Sequence, residues 1–100
     1  MNEMITKFKN YIESKKINFN KKFILYGVNG EIQLTYFIRN YKIDFLFDIE
    51  DKLVFTRSKN KEVIECIENI NIDNCYKLFD EEIKKILQDE EINKDIVYEA

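Results

Sequence analysis

The sequence predicts an α+β protein in which one helix precedes a four-stranded antiparallel meander and two helices follow it, in the order αββββαα. Residues 22–58 form an almost unbroken series of β-branched, aromatic and aliphatic side chains, separated by short polar breaks. On both sides of this stretch, the apolar residues recur at helical spacing instead. A length of 100 residues with 45% hydrophobic content fits one domain with one core, covering residues 1–100.

The first helix is predicted over residues 2–16. Its apolar residues fall on one stripe, because positions three and four apart share a helix face. Asn2 is a suitable N-cap, and Glu3 lies near the positive end of the helix dipole. The stripe consists of Met4, Ile5, Phe8, Tyr11 and Ile12.

The first two strands are predicted to form a hairpin around Asn29-Gly30. Both residues accept positive φ, so a two-residue turn is favoured there. Such a turn pairs Leu25 with Leu34 and places both side chains on the inward face of the sheet.

Two further turns complete the predicted meander. A tight turn near residues 40–41 pairs Ile38 with Ile43, and Glu50-Asp51 forms the last turn. The registers of the first two predicted hairpins agree, because every paired residue falls on one face of the sheet. A slip of one residue would expose that face. The predicted inward face is Phe23, Leu25, Ile32, Leu34, Tyr36, Ile38, Ile43, Phe45, Phe47 and Ile49.

The outward face of the predicted sheet is mixed rather than cleanly polar. A sheet that is wetted on one side usually carries more polar residues there. Either another element covers this face, or the face is a contact surface, since exposed apolar patches mark binding sites. Its residues are Ile24, Tyr26, Val28, Phe37 and Leu46, interspersed with Gln33, Thr35, Asp44 and Asp48.

After Ser58, the sequence predicts two acidic helices. Asn60 is expected to cap the first and Asp73 the second. Residues 92–100 fit either a last helical turn or an added edge strand. The first helix would carry Val63, Ile64, Ile67 and Ile70, and the second would carry Tyr76, Phe79, Ile83, Ile86 and Leu87.

No motif for catalysis, metal binding or cofactor binding is found in the sequence. The chain has no histidine, which removes the usual general base and the Ser–His and Cys–His pairs. Its glycines, Gly27 and Gly30, both belong to the first hairpin, so they do not form a phosphate loop. Cys66 and Cys75 lack the further Cys or His ligands of a zinc site. The sequence therefore predicts a protein without catalytic residues, metal or cofactor.

One enzyme alternative stays open, a metal-dependent nuclease. An acidic residue, Asp44 or Asp48, precedes the acidic-lysine run Glu50-Asp51-Lys52. In restriction-type nucleases a similar order places carboxylates around Mg²⁺ and a lysine beside the attacking water. Here the run falls in a predicted turn instead of on the following strand.

Direct contact with nucleic acid or with a membrane is not predicted. Tyr26 and Phe37 could stack on bases, but Asp44 and Asp48 would lie on the same face and repel phosphates. The chain lacks an apolar run of about 18 residues that would span a membrane. The N-terminus lacks the apolar core of a signal peptide, so we expect a cytoplasmic protein.

The charges are unevenly distributed between the two parts of the chain. Residues 1–59 carry 11 basic and 7 acidic side chains, whereas residues 60–100 carry 5 basic and 12 acidic ones. Rows of carboxylates on helices can mimic the phosphates of a nucleic acid and bind a basic groove of a protein. The residues predicted to bind a protein partner in this way are Glu65, Glu68, Asp80, Glu81, Glu82, Asp89 and Glu90.

A small acidic domain with a leading amphipathic helix, an antiparallel meander and two acidic trailing helices resembles the phage-encoded anti-CRISPR proteins. The resemblance covers the element order from MNEMITKFKNYIES through EEIKKILQDEE, without a shared motif. The anti-CRISPR proteins in question bind an RNA-guided nuclease and occlude its DNA-recognition surface. The resemblance implies a non-enzymatic inhibitor whose partner is a CRISPR effector complex with a basic groove, in a bacterial host cell. The chain departs from this resemblance in its fourth predicted strand, and its front half carries more lysine than a pure DNA mimic would.

Two alternatives to an inhibitor are compatible with the same residues. A toxin-immunity protein is also small, acidic and without catalysis, and would mask a nuclease toxin. A homo-oligomeric phage structural or adaptor module would instead use the Ile24, Tyr26, Phe37 and Leu46 face for self-association. The sequence leaves the oligomeric state open.

Overall fold

The structure is a computed structural model that describes the backbone of residues 2–99 and the side chains of residues 2–89. It is an α+β fold with one N-terminal helix, a five-stranded antiparallel sheet and one C-terminal helix. The elements are α1 (Glu3–Ser14), β1 (Lys21–Tyr26), β2 (Ile32–Ile38), β3 (Tyr41–Phe47), β4 (Lys52–Lys59), β5 (Glu62–Asn71), a short 3₁₀ turn (Ile72–Asn74) and α2 (Cys75–Glu99).

Helix α1 begins as the sequence predicts. The Asn2 side chain accepts a hydrogen bond from the Met4 backbone N–H at 2.7 Å, which satisfies one of the free donors of the first turn. Ile5, Phe8 and Ile12 are buried, so the predicted stripe is the packed face of the helix.

The sheet is a continuous meander with the strand order β1-β2-β3-β4-β5. The turn between β2 and β3 lies at Arg39-Asn40, so Ile38 stands opposite Tyr41 instead of the predicted Ile43. This shift of two residues changes the pairs but not the face, because side chains alternate with a period of two. The central inward residues are therefore confirmed as buried: Ile32, Leu34, Tyr36, Ile38, Ile43, Phe45 and Phe47.

The predicted register of β1 is wrong by one residue. Its loop to β2 has three residues, closed by a hydrogen bond from the Gly27 N–H to the Glu31 carbonyl at 2.8 Å. Gly30 ends the loop with φ 87°, as the third residue of such a loop requires. Ile24 therefore faces Leu34, and Leu25 faces Gln33. An odd loop length in place of an even one turns every side chain of β1 to the opposite face.

The predicted helix after Ser58 is also wrong, because residues 62–71 form the strand β5. Asn60 and Lys61 make a two-residue turn in which both have positive φ, instead of a helix cap. The β-branched residues in this segment fit a strand, and two register irregularities against β4 interrupt the alternation that would have identified it. Residues 2–99 therefore contain five strands and one C-terminal α-helix, where the sequence predicted four strands and two helices.

Helix α2 follows the 3₁₀ turn and includes residues 92–99 of the segment whose conformation the sequence left open. Phe79, Ile83 and Ile86 are buried as predicted, whereas Tyr76 and Leu87 are exposed. The buried stripe also contains Cys75, Leu78 and Glu82. A carboxylate thus lies where the helix packs on the sheet.

Both helices pack on the same face of the sheet. Phe8 of α1 makes T-shaped ring contacts with Phe45 and Phe47 of β3 and with Phe79 of α2, at centroid distances of 5.0, 5.9 and 6.3 Å. These edge-to-face pairs tie the two helices and the central strand into one apolar core.

Candidate functional site: the open sheet face and the acidic side chains

The face of the sheet opposite the two helices is open, and we call it the open face. It alternates along each strand with the residues of the core. Across the strands its side chains fall into three rows, because antiparallel partners stand side by side. The rows are Leu25–Gln33–Leu46–Val54, Phe23–Thr35–Asp44–Thr56–Cys66 and Lys21–Phe37–Lys42–Ser58–Val63.

Large apolar side chains on the open face are accessible to solvent. Phe23 is 47% exposed, Leu25 55%, Leu46 36% and Val63 63%. These four residues lie on β1, β3 and β5, so the accessible apolar surface extends from one edge of the sheet to the other. A distribution of this kind is typical of contact surfaces.

A polar network lies at the centre of the open face. The Asp44 carboxylate accepts hydrogen bonds from the Thr35 hydroxyl at 2.6 Å and from the Gln33 amide at 2.9 Å. The Lys42 ammonium lies 3.7 Å from the other carboxylate oxygen of Asp44. Because its oxygens are held by neighbours, Asp44 is an ordered part of the sheet surface.

The sequence prediction of the outward face is partly confirmed. Gln33, Thr35, Phe37, Asp44 and Leu46 lie on the open face as expected. Ile24 and Tyr26 do not, since the odd loop turns them towards the helices. Phe23 and Leu25 take their place.

Two of the residues predicted to bind a partner, Glu65 and Glu82, meet inside the fold. Glu82 is 1% exposed, and its carboxylate lies 2.7 Å from Lys85 and 3.7 Å from Arg57. Lys85 also lies 3.3 Å from Glu65. Burial, and then the hydrogen bond with Glu65, raises the pKa of Glu82. The hydrogen bond from Glu82 lowers the pKa of Glu65, with Lys85 adding to this effect. This four-residue charge cluster joins α2 to β4 and β5.

Asp80 and Asp89 also have partners within the chain. The Tyr11 hydroxyl of α1 donates to Asp80 at 2.7 Å, which links the two helices. Asp89 lies 2.7 Å from the Lys59 ammonium and accepts a hydrogen bond from the Tyr41 hydroxyl. The hydrogen bonds from Lys59 and Tyr41 lower the pKa of Asp89.

The remaining residues of the predicted set are Glu68, Glu81 and Glu90. Glu68 on β5 and Glu81 on α2 are exposed. Within residues 2–89, no ion pair or hydrogen bond of the Glu68 or Glu81 side chain is found. The side chain of Glu90 lies outside the described residues. The predicted set is thus divided: Glu68 and Glu81 face solvent, while Glu65, Asp80, Glu82 and Asp89 connect elements of the fold.

The residues of the nuclease alternative do not converge. Asp48 accepts hydrogen bonds from the backbone N–H groups of Glu50 and Lys52 at 2.8 and 3.0 Å, so it closes the turn between β3 and β4. Asp44 belongs to the network on the open face. Within the described residues, no group of three or more Cys, Asp and Glu side chains is placed to hold a metal ion.

The two cysteines lie in different environments. Cys75 is buried at the start of α2, and burial raises its pKa to about 11. Cys66 is exposed on the open face, and the Thr56 hydroxyl lies 3.9 Å from its sulfur. The rate at which a thiol reagent modifies Cys66 should therefore show whether the open face is accessible or covered.

Comparisons with known protein families, with curated proteins and with solved structures find no match for this chain. In residues 2–99, neither helix is both long enough and apolar enough to cross a membrane.

Proposed function

We propose that this protein is a non-enzymatic inhibitor that binds a CRISPR effector nuclease in the cytoplasm of a bacterial host and occludes the nucleic-acid-binding surface of the effector. The class of partner comes from the resemblance to the anti-CRISPR proteins. The contact surface that we assign comes from the geometry of the sheet.

The open face is the observation that carries this proposal. Phe23, Leu25, Leu46 and Val63 expose large apolar side chains on a rigid sheet whose other face holds the core. A rigid surface loses little conformational entropy on binding, which favours affinity. A polar group that becomes buried in an interface must keep its hydrogen bonds, and Asp44 already accepts them from Thr35 and Gln33.

The partner surface is expected to be basic. Residues 60–100 carry 12 acidic and 5 basic side chains, and Glu68 and Glu81 direct their carboxylates to solvent. Complementary charge speeds association and selects partners. In this arrangement the open face supplies the apolar contact, and the exposed carboxylates attract the nucleic-acid groove of the effector.

Capture of purified CRISPR effectors by the immobilised protein tests the proposal. We expect an effector to be retained and to protect Cys66 from alkylation, while Cys75 stays unreactive in the free protein and in the complex. The variant Leu25→Ser should abolish retention. The variant Glu68→Lys/Glu81→Lys should weaken retention most at low salt, because surface charges are screened as salt rises.

Lys84→Ala is the control for Leu25→Ser, since Lys84 is an exposed charge on α2, on the other side of the sheet from the open face. At high salt, where surface charges are screened, its retention should equal that of the unaltered protein. If no effector is retained, the inhibitor proposal is wrong. If an effector is retained without protecting Cys66, the open face is not the contact surface.

A homo-oligomeric module is the second candidate, favoured by the same open face. Two copies that pack these faces together would bury Phe23, Leu25 and Leu46. Light scattering over a range of concentrations separates the two functions, because an inhibitor that keeps this face free should show a constant monomer mass. A dimer that dissociates in the Leu25→Ser variant would favour the oligomeric module.

A further inference from the structure

A cavity of about 460 Å³ lies at one end of the open face, between two tight turns, and we call it the turn pocket. The turns are Arg39-Asn40 and Asn60-Lys61, which connect β2 to β3 and β4 to β5. Its size falls within the range of small-molecule sites. Its floor comes from one row of the open face, including Phe37, Lys42, Ser58 and Val63.

Among the residues whose side chains the structure describes, the charged ones that line the turn pocket are all basic: Arg39, Lys42 and Lys61. This is notable in a chain with more acidic than basic residues. The cavity between the end of β4 and α2 provides a contrast, because Asp89 lines it and pairs with Lys59 there. The Asp44 carboxylate lies 3.7 Å from Lys42, but Asp44 does not line the cavity.

Two of the cations that line the pocket occupy turn positions with an unfavourable backbone conformation. Arg39 has φ 53° and Lys61 has φ 71°, a region that disfavours side chains other than those of Gly, Asn and Asp. Two-residue turns of this kind usually carry glycine at such positions. Residues held in sparsely populated conformations cluster at functional sites.

The two turns are held together. The Asn60 N–H donates to the Asn40 carbonyl at 2.9 Å, and the Asn20 side chain donates to the Arg39 carbonyl at 3.0 Å. The walls of the pocket are therefore fixed before any ligand arrives, which lowers the entropic cost of binding.

An aromatic residue, Phe37, lines the pocket together with Lys42, and its ring contacts the Phe23 ring edge to face at 5.9 Å. In the register of the sheet, Phe37 stands between Lys21 of β1 and Lys42 of β3. An aromatic ring beside cations suits a nucleotide, because the base can stack on the ring while the cations neutralise the phosphate. Stacking of this kind tolerates any base. An acidic peptide would satisfy the cations but leave the ring without a planar partner.

We propose that the turn pocket binds a nucleotide, with the phosphate held by Lys42 and Lys61 and the base against Phe37. The nucleotide is either free or a unit of a single strand. This site does not depend on the inhibitor function. Asp44 and Asp48 were the reasons against nucleic acid in the sequence. Asp48 closes the turn at the other end of β3, and Asp44 contacts Lys42 from outside the pocket, so neither carboxylate lines it.

Titration of the isotope-labelled protein with AMP, followed by amide NMR, tests this site. We expect saturable shifts in residues 37–42 and 58–63 below about 10 mM AMP. Inorganic phosphate should bind at least about tenfold more weakly, since it lacks the base that stacks on Phe37. A glutamate-rich peptide should not cause saturable shifts.

The variant Lys61→Gly separates binding from folding. Glycine adopts φ 71° without strain, so the variant should unfold at a higher urea concentration than the unaltered protein. It should nevertheless bind AMP about tenfold more weakly, because one charge-assisted contact is lost. Lys84→Ala is the control, because it also removes an exposed lysine charge and alanine is favourable within a helix. Its AMP affinity should equal that of the unaltered protein.

A single-stranded oligonucleotide distinguishes the two sources of the nucleotide. Tighter binding than AMP with a steep salt dependence identifies a strand, and equal binding identifies a free nucleotide. The proposal is overturned if AMP gives no saturable shift, if Lys61→Gly binds AMP as tightly as the unaltered protein, or if phosphate or the peptide binds as well as AMP.

Discussion

The two faces of the sheet are built from the same strands, yet they differ in almost every physical respect. On the face that packs against the helices, Phe45, Phe47 and Phe55 are almost completely buried, and charges such as Glu82 have partners. On the open face, apolar side chains such as Phe23 are accessible, and the central polar groups bond to each other. Most of the contacts that stabilise the fold therefore lie on the packed face. The open face is left accessible to a ligand or a partner.

The largest expected effect comes from a matched pair of phenylalanines. Phe45→Ala should lower the free energy of unfolding by about 4 kcal/mol, because it leaves a cavity within the aromatic core. Phe23→Ala on the open face should cost less than about 1 kcal/mol. Urea denaturation of both variants measures the difference. A cost at Phe23 that approaches the cost at Phe45 would mean that the open face is covered in solution.

The charge cluster on the packed face should show strong coupling. Arg57→Met should destabilise the protein by about 2 kcal/mol, since it removes one of the two cations beside the buried Glu82 and leaves Lys85 as the other. Arg57→Met/Glu82→Met should recover most of this loss, because the double variant no longer buries a carboxylate at this position. Urea denaturation of the single and double variants gives the coupling energy. Simple additivity of the two single effects would contradict an interaction between them.

The pH dependence of Arg57→Met follows from the raised pKa of Glu82. Burial makes the folded state favour the neutral carboxyl of Glu82. Its contribution to the free energy of unfolding is therefore present at low pH and is lost as the pH rises through its folded pKa. Without Arg57, which lowers this pKa, the loss should become larger. The destabilisation by Arg57→Met should therefore increase from about pH 4 to about pH 7. Denaturation at several pH values checks the sign.

A smaller effect is expected where α1 joins the sheet. Glu13 lies 2.6 Å from Lys9 and 2.5 Å from Lys22 of β1. Burial acts to raise the pKa of Glu13, but hydrogen bonds with Lys22 and Lys9 outweigh it, so the pKa is lowered. Its contribution is present above the unfolded pKa and is lost as pH falls. Glu13→Gln should cost about 1 kcal/mol at pH 7, and this difference should vanish in acid.

Glu3→Gln is the matched control for this prediction. Glu3 also pairs with a lysine of α1, at 3.5 Å from Lys7, but its side chain is largely exposed. Exposed pairs contribute little to stability. Equal losses for Glu3→Gln and Glu13→Gln would show that the contact with β1 adds nothing.

The fold could be predicted where one sequence signal acted alone. The stripe of Ile5, Phe8 and Ile12 gave α1, and strict alternation gave the buried face of β2 and β3. An error of two residues at the turn after Ile38 was harmless, because the face of a side chain depends only on whether the shift is even or odd. Short-range periodicity was sufficient for these elements.

The errors arose where two signals competed. In residues 62–71, Val63, Ile64, Ile67 and Ile70 fit a helix stripe as well as a strand with an irregular register. The acidic residues were predicted to face a partner, yet Glu82 falls on the buried stripe of α2. That placement depends on Arg57 and Lys85 lying opposite, and contacts between distant residues are not visible in local spacing. The turn pocket was missed for the same reason, because it joins two turns about 20 residues apart in the chain.

The smallest predicted effect tests the loop that decides which face β1 presents. Val28 is fully exposed within the three-residue loop, so its deletion leaves a two-residue Asn-Gly turn between Gly27 and Glu31. The strand pairs stay the same, and we expect stability to change by less than about 0.5 kcal/mol in urea denaturation.

The contrasting variant at the same loop is Gly30→Ala. It should cost about 1 kcal/mol, because φ 87° is unfavourable for alanine and the new Cβ would lie 3.1 Å from Ile49. Nuclear Overhauser contacts between the backbones of Ile24 and Leu34 identify the register in each variant. If deletion of Val28 instead placed Leu25 opposite Leu34, the loop alone would not determine the register. Phe23 and Leu25 would then leave the open face, and the apolar surface assigned to the partner would be lost with them.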